Sequence, residues 1–177
     1  GISMKRLFIG ALVIVLALGL AGCKSVSDKI SEEISEEIVG GAIGGDVEVD
    51  GDQVTIETDE GETTIAGGEG VLVDEFPDDF PLYSGATVVT STYFGAADGR
   101  DQVYAMLSTG DGVDEVYEWY KAELQSGGWS LTNDVKMSTG DSELAQLAVE
   151  SGTREAAVMV SEGSEGTEIV INVYTEQ

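Results

Sequence analysis

From residue 46 onward the chain alternates apolar and polar residues in short runs, and glycine-bearing turns separate the runs. A period of two is the signature of a half-buried strand, whereas an amphipathic helix repeats every 3.6 residues. The pattern also restricts pairing, because a one-residue slip turns every side chain of a strand to the wrong face. In "GGDVEVDGDQVTIETDEGETTIAGG" a two-residue turn at Gly51-Asp52 sets Val49 opposite Val54 and Val47 opposite Ile56. A second turn at Glu60-Gly61 then sets Ile56 opposite Ile65. Residues 46–67 are therefore expected to form a three-stranded meander with one buried face.

The same register crowds the other face with acid. Asp46 falls opposite Glu57 and Asp59 opposite Glu62, with Glu48 and Asp50 alongside. Like charges facing each other across a ladder are destabilising, and a bound cation would relieve them. No cofactor is otherwise expected, and calcium held by Asp46, Glu48, Asp50 and Glu57 is the alternative this crowding raises. The stretch departs from an EF-hand loop at Glu48, and its valines alternate as in a strand, so a helix–loop–helix site is rejected.

Farther along, "GGEGVLVDEFPDDFPLYSGA" holds both prolines, Pro77 and Pro81, each after a phenylalanine. A residue before proline is pushed toward extended backbone. Residues 68–82 therefore read as a linker strap pinned by Phe76 and Phe80. "TVVTSTYF" and "QVYAMLST" flank an Asp98-Gly99 turn and make a hairpin. "GDGVDEVYEWYKAELQSGG" carries a helical stripe of Val113, Val116, Tyr117, Tyr120 and Leu124, with Asp111 placed to cap it and Gly127-Gly128 to end it. Strands follow at "WSLTNDVKM", "ELAQLAVE", "REAAVMVS" and "TEIVINVYT", although 142–149 would also fit a helix. Turns at Ser151-Gly152 and near Glu165-Gly166 set Leu147 opposite Ala156, Val160 opposite Ile171 and Val158 opposite Val173. The expected fold class is α+β. A mostly antiparallel sheet with one covering helix (ββαββββ) is preceded by a short helix and the small meander.

Composition removes most catalytic chemistry. The 177 residues include no histidine and one cysteine. Histidine-dependent nucleophile systems, imidazole-bound zinc, intramolecular disulfides and CxxC pairs are all excluded. The formal charge is −26, from 34 acids and 8 bases. Such a chain repels nucleic-acid phosphates and anionic lipid, and attracts cations or basic partners. The "STGD" repeated at Ser108 and Ser138 fits turns, and the glycine-rich "GGAIGG" lacks the following helix of a phosphate cradle.

The lone cysteine has a defined place. Lys5-Arg6 precedes the uncharged run "LFIGALVIVLALGL" from Leu7 to Leu20, and Ala21-Gly22-Cys23 follows. This is the basic, apolar and small-residue plan of an export signal, and it is shorter than the roughly 20 residues of a membrane span. Gly1-Ile2-Ser3 ahead of Met4 reads as an expression-vector scar or a start assigned too early. "LAGC" resembles the lipobox of bacterial lipoproteins. That resemblance implies cleavage before Cys23, lipidation of its sulfur, and an extracytoplasmic protein anchored to a cell membrane. The loss of Lys5 and Arg6 with residues 1–22 would leave 34 acids against 6 bases, or −28. Residues 23–45 then form the lipidated N-terminus and an acidic spacer, and 83–177 the main domain. In the spacer Val26, Ile30, Ile34 and Ile38 recur every four residues opposite Glu32, Glu33, Glu36 and Glu37, as in a short helix with one apolar stripe. From the strap onward, "FPLYSGA" and "EWYKAELQSGGW" resemble domains of uncharacterised exported bacterial lipoproteins, which supply no catalytic residue to transfer.

These readings point to a non-catalytic binding or scaffolding role at the cell envelope. Another envelope protein, a cation or a small ligand would be the partner, or a second copy through residues 26–39, with Trp119 and then Tyr83 as contact residues if exposed. The alternative is a carboxylate-based hydrolase of cell-wall sugars, which would need paired carboxyls in a cleft.

Overall fold

The structure is a computed structural model that describes residues 46–59, 61–97, 99–139, 142–164 and 166–176. Cys23, the apolar leader and the expected helix over 25–39 lie outside these residues. The strands are β1 (Asp46–Asp50), β2 (Gln53–Thr58), β3 (Gly61–Ala66), β4 (Thr87–Ala96) and β5 (Arg100–Thr109). After the helix α1 (Val113–Ser126) come β6 (Ser130–Thr139), β7 (Ser142–Ser151), β8 (Arg154–Gly163) and β9 (Gly166–Glu176). All pairings are antiparallel within one nine-stranded sheet, in the order β1-β2-β3-β4-β5-β9-β8-β7-β6.

The expected α+β class is therefore corrected. The described chain is mainly β, with α1 as its single helix, and the meander is part of the sheet. Residues 61–66 of β3 pair with 91–96 of β4, so the ladder runs unbroken across the strap. Residues 142–151 are strand and not helix. Among the described residues no helix is long and apolar enough to cross a membrane.

The core lies on one face of the sheet, beneath α1 and the strap. The five stripe residues of α1, from Val113 to Leu124, are all buried, and the helix packs over β6, β7 and β8. Their spacing puts them on one side of the helix, where each lost water-exposed side chain contributes roughly 1.5–3 kcal/mol. The helix cap differs from expectation. Gly112 occupies that position without a side-chain bond, and Asp111 is engaged elsewhere. Gly127 and Gly128 end the helix as expected, their N–H groups donating to the carbonyls of Glu123 and Gln125.

The strap completes the cover. Phe76, Phe80 and Tyr83 are buried, and Phe80 meets the Trp129 ring edge-on at 5.4 Å. The Tyr83 N–H donates to the Tyr120 hydroxyl on α1. At the strap's outer edge Arg154 donates two parallel bonds of 2.6 Å to Asp79 while its guanidinium lies 5.0 Å over Trp129.

Three of the expected turns shift by one residue. Thr58 pairs with Gly61, Ser151 with Arg154 and Gly163 with Gly166. Ile65 therefore faces Val54 and not Ile56, and Glu62 faces Glu57 and not Asp59. Leu147 faces Val158, Val158 faces Ile171 and Val160 faces Ile169. Moving a turn centre by one residue moves every partner by two, so each side chain keeps its expected face. Two of the glycines explain the shift. Gly61 and Gly166 open strands at φ 139° and 138°, under the carbonyl oxygens of Gly95 and Thr109, where a Cβ would overlap backbone. They are positions of close strand approach, whereas Gly152 (φ 63°) is a true turn residue in open space.

This distinction is measurable by urea unfolding. Gly152→Ala should cost about 1–2 kcal/mol, the penalty of a left-handed alanine. Gly166→Ala should cost clearly more, because it adds a collision with Thr109. Equal losses would mean that strand approach does not constrain Gly166.

Candidate functional site

The sheet exchanges its chemistry between its two halves. From β4 to β9 the face toward α1 carries the core, including Ala105, Leu107, Ile171, Val158 and Leu147. In β1 to β3 that same face carries Asp46, Glu48, Asp50, Glu57 and Glu62, with Asp46, Glu57, Glu62 and Gly95 abreast in one row. The valines and isoleucines of β1–β3 point to the opposite face, which no described element covers, while Ala66 stays in the core.

The residues expected to hold calcium lie on this acidic extension. Asp46 is paired with Glu57, and Glu48 and Asp50 follow on β1. Among the described residues, no group of three or more acidic side chains converges closely enough to hold a metal. Beside this row the Tyr93 hydroxyl closes over Gly95, and burial, then Asp101, raises its pKa.

Tyr83 and Trp119 lie on the covered side of the sheet. Tyr83 is buried and donates its hydroxyl to Asp111 Oδ2 at 2.8 Å. That bond, followed by burial, pushes its pKa up to about 12. Trp119 is half-buried and packs edge-on against Tyr83 at 5.1 Å and Tyr120 at 4.9 Å. The structure brings the two expected contact residues together, as walls of the strap–helix junction. Next to them, Tyr117 and Lys121 both donate to Asp134. The lysine first, and then the tyrosine, holds that carboxyl below its ordinary range.

An uncovered apolar face not foreseen from the sequence lies on the other side. Among the described residues, four of the five exposed large apolar residues, Val49 (44%), Phe94 (37%), Met137 (52%) and Met159 (37%), project there, and the fifth, Val89, sits at the β4 bulge. Half-buried Tyr104, Met106 and Val170 occupy its centre. Gln102 Nε2 donates to Asn172 Oδ1 at 2.9 Å, and Arg100 pairs with Glu155 while lying 4.8 Å over the Tyr174 ring. An antiparallel sheet with one solvated face normally places polar residues on it. The signal was present in "TEIVINVYT", where Val170 interrupts the polar positions of the alternation, and in "YAM", where Tyr104 and Met106 do the same.

Among the described residues the depressions are small. One depression of about 130 Å³ is lined by Val89, Met106, Ser108 and Glu168, and another of about 90 Å³ by Arg100, Glu150, Glu155 and Tyr174. Small-molecule pockets are typically about 300–1,000 Å³. A general acid needs a carboxyl raised toward neutrality. The carboxyls of Asp79 and Asp134 are instead lowered, by Arg154 and by Lys121. The geometry suits surface recognition better than enclosure of a substrate.

Comparison with protein families matches residues 88–167, from β4 into the start of β9, to a family model described as START domain-like. Neither the curated proteins nor the solved structures compared with the chain give a match.

The junction makes a titration prediction. Tyr83 and Tyr120 are both pushed up to about 12, the first mainly by its bond to Asp111 and the second mainly by burial. A raised phenol pKa favours the folded state fully below pH 10, and that contribution is lost as pH rises through 12. Tyrosinate absorbance should therefore show a late phase near pH 12. Tyr83→Phe should remove one equivalent from it, and a late phase of unchanged size would contradict the Tyr83–Asp111 bond.

Proposed function

We propose that this protein is a non-catalytic binding lipoprotein of the cell envelope, anchored through Cys23, that engages a protein partner with the uncovered face of β5–β9. The observation that carries the reading is the row of Met106, Val170 and Met159, with Tyr104 beside it, on a face no described element covers. Aromatic and methionine side chains give large contact area, and methionine adapts its shape to a partner. The START domain-like match over 88–167 supports ligand binding over chemistry, and it spans most of this face. The acidic surface disfavours nucleic acid and anionic lipid as partners.

Anchorage is tested by metabolic labelling with a fatty acid, which Cys23→Ala should abolish. Recognition is tested by cross-linking the full chain in its native envelope. Tyr104→Ser with Met159→Asp should reduce partner capture at least tenfold, while Trp119→Ala on the covered side leaves it unchanged. Near-ultraviolet circular dichroism checks that the variants fold. Undiminished capture by the folded double variant would sink the proposed face.

A further inference from the structure

The uncovered face of β1–β4 differs from the rest of that face. Its side chains are Val47 and Val49 on β1, Val54, Ile56 and Thr58 on β2, and Thr63 and Ile65 on β3. On β4 they are Thr90, Thr92, Phe94 and Ala96. None of them carries a charge, in a chain whose formal charge is −26. The reverse side of the same strands carries Asp46, Glu48, Asp50, Glu57 and Glu62. A three-stranded extension of this kind, with a half-buried apolar row that no described element covers, calls for a cover.

The segment that enters β1 has the matching properties. Val26, Ile30, Ile34 and Ile38 advance about 40° per four-residue step, so the stripe spans about 120° of a helix, close to the width of a core-facing surface. Such a helix from Val26 to Ile38 is about 18 Å long. Four strands are about 14 Å wide, and a six-residue strand is about 20 Å long. Residues 39–45, "VGGAIGG", include four glycines and reach up to about 24 Å, enough to fold back over the strand they lead into. The stripe's opposite face bears Glu32, Glu33, Glu36 and Glu37. Those carboxylates would be repelled by the acidic side of β1–β3, while on the uncharged side they remain in water.

We propose that residues 26–38 dock as a helix on the uncharged face of β1–β4, with Ile30, Ile34 and Ile38 over Ile56, Ile65 and Phe94. The segment next to the lipid anchor thereby becomes a second cover of the sheet, on the side opposite α1. This inference concerns β1–β4 and does not depend on what β5–β9 bind.

The test uses the full chain in detergent micelles with Cys23→Ser to remove the native thiol. Ile34→Cys combined with Ile56→Cys should oxidise to a bridge within one chain, seen as faster migration on a non-reducing gel. The bridge should form at least tenfold faster than in a control combining Ile34→Cys with Glu57→Cys, on the opposite face. Equal rates, no bridge, or a covalent dimer in its place would overturn the proposal, the dimer pointing to a second copy as the cover. A second measurement needs no bridge. In a chain with Ile56→Cys alone, adding Ile34→Asp should raise the rate of maleimide labelling about tenfold. An unchanged rate overturns the proposal, and protection persisting with Ile34→Asp points to lipid or detergent as the cover.

Discussion

The ladder between β5 and β9 joins the two halves of this molecule. It aligns residues 100–109 with 167–176, and it alone connects the strands before the helix to those after it in the sheet order. Pairings of such sequence separation form late and at high loop-closure cost. The start of the ladder is correspondingly reinforced. Gly166 passes under the Thr109 carbonyl, and the Thr167 hydroxyl donates to the Asp111 carbonyl at 2.6 Å. The Asp111 carboxylate in turn accepts from Tyr83, the residue that follows the strap, and Asp111 N–H donates to the Thr109 hydroxyl. One corner thus ties together the central strand, the approach to α1 and the strap. Asp111 is more valuable there than as the helix cap its sequence position suggests, because a capping bond would connect nothing beyond the helix.

Much of this was legible in sequence for a simple physical reason. Strand parity tolerates an error in turn position, so mis-centring the turn after β8 still left Val158, Val160, Ile169 and Ile171 on the core face. The stripe of α1 was equally readable, since nothing but a helix brings Val113, Val116, Tyr117, Tyr120 and Leu124 together. The joining of β3 to β4 was not readable. No tight turn links them, and the pairing partners of Ile65 and Ala66 lie beyond the whole strap. Without that joint, the meander's apolar row looked like an independent core with its own buried face. Seen in the continuous sheet, the row turns away from the main core.

The expected contact residues show the same limit. Trp119 and Tyr83 stand out by type, but a strap of unknown path decides whether they are wet. The strap brings Tyr83 beneath α1, and Trp119 becomes its wall. The uncovered face is built from residues that are individually ordinary. Tyr104, Met106, Val170 and Met159 become a surface only when β5, β9 and β8 lie side by side.

Charge then shapes what that surface can do. The four bases of the described chain are all engaged: Arg100 with Glu155, Lys121 with Asp134, Lys136 with Asp114 and Arg154 with Asp79. Each also lies over an aromatic ring, on Tyr174, Tyr117 or Trp129. Exposed pairs contribute about 0–1 kcal/mol each, so they do not hold the fold together. Their effect is to leave no described base free for the surplus carboxylates. Among the described residues the remaining carboxylates outnumber the bases, and the face of β1–β4 turned away from α1 carries no charged side chain. An apolar segment can settle on that face without meeting a carboxylate from the strands beneath it.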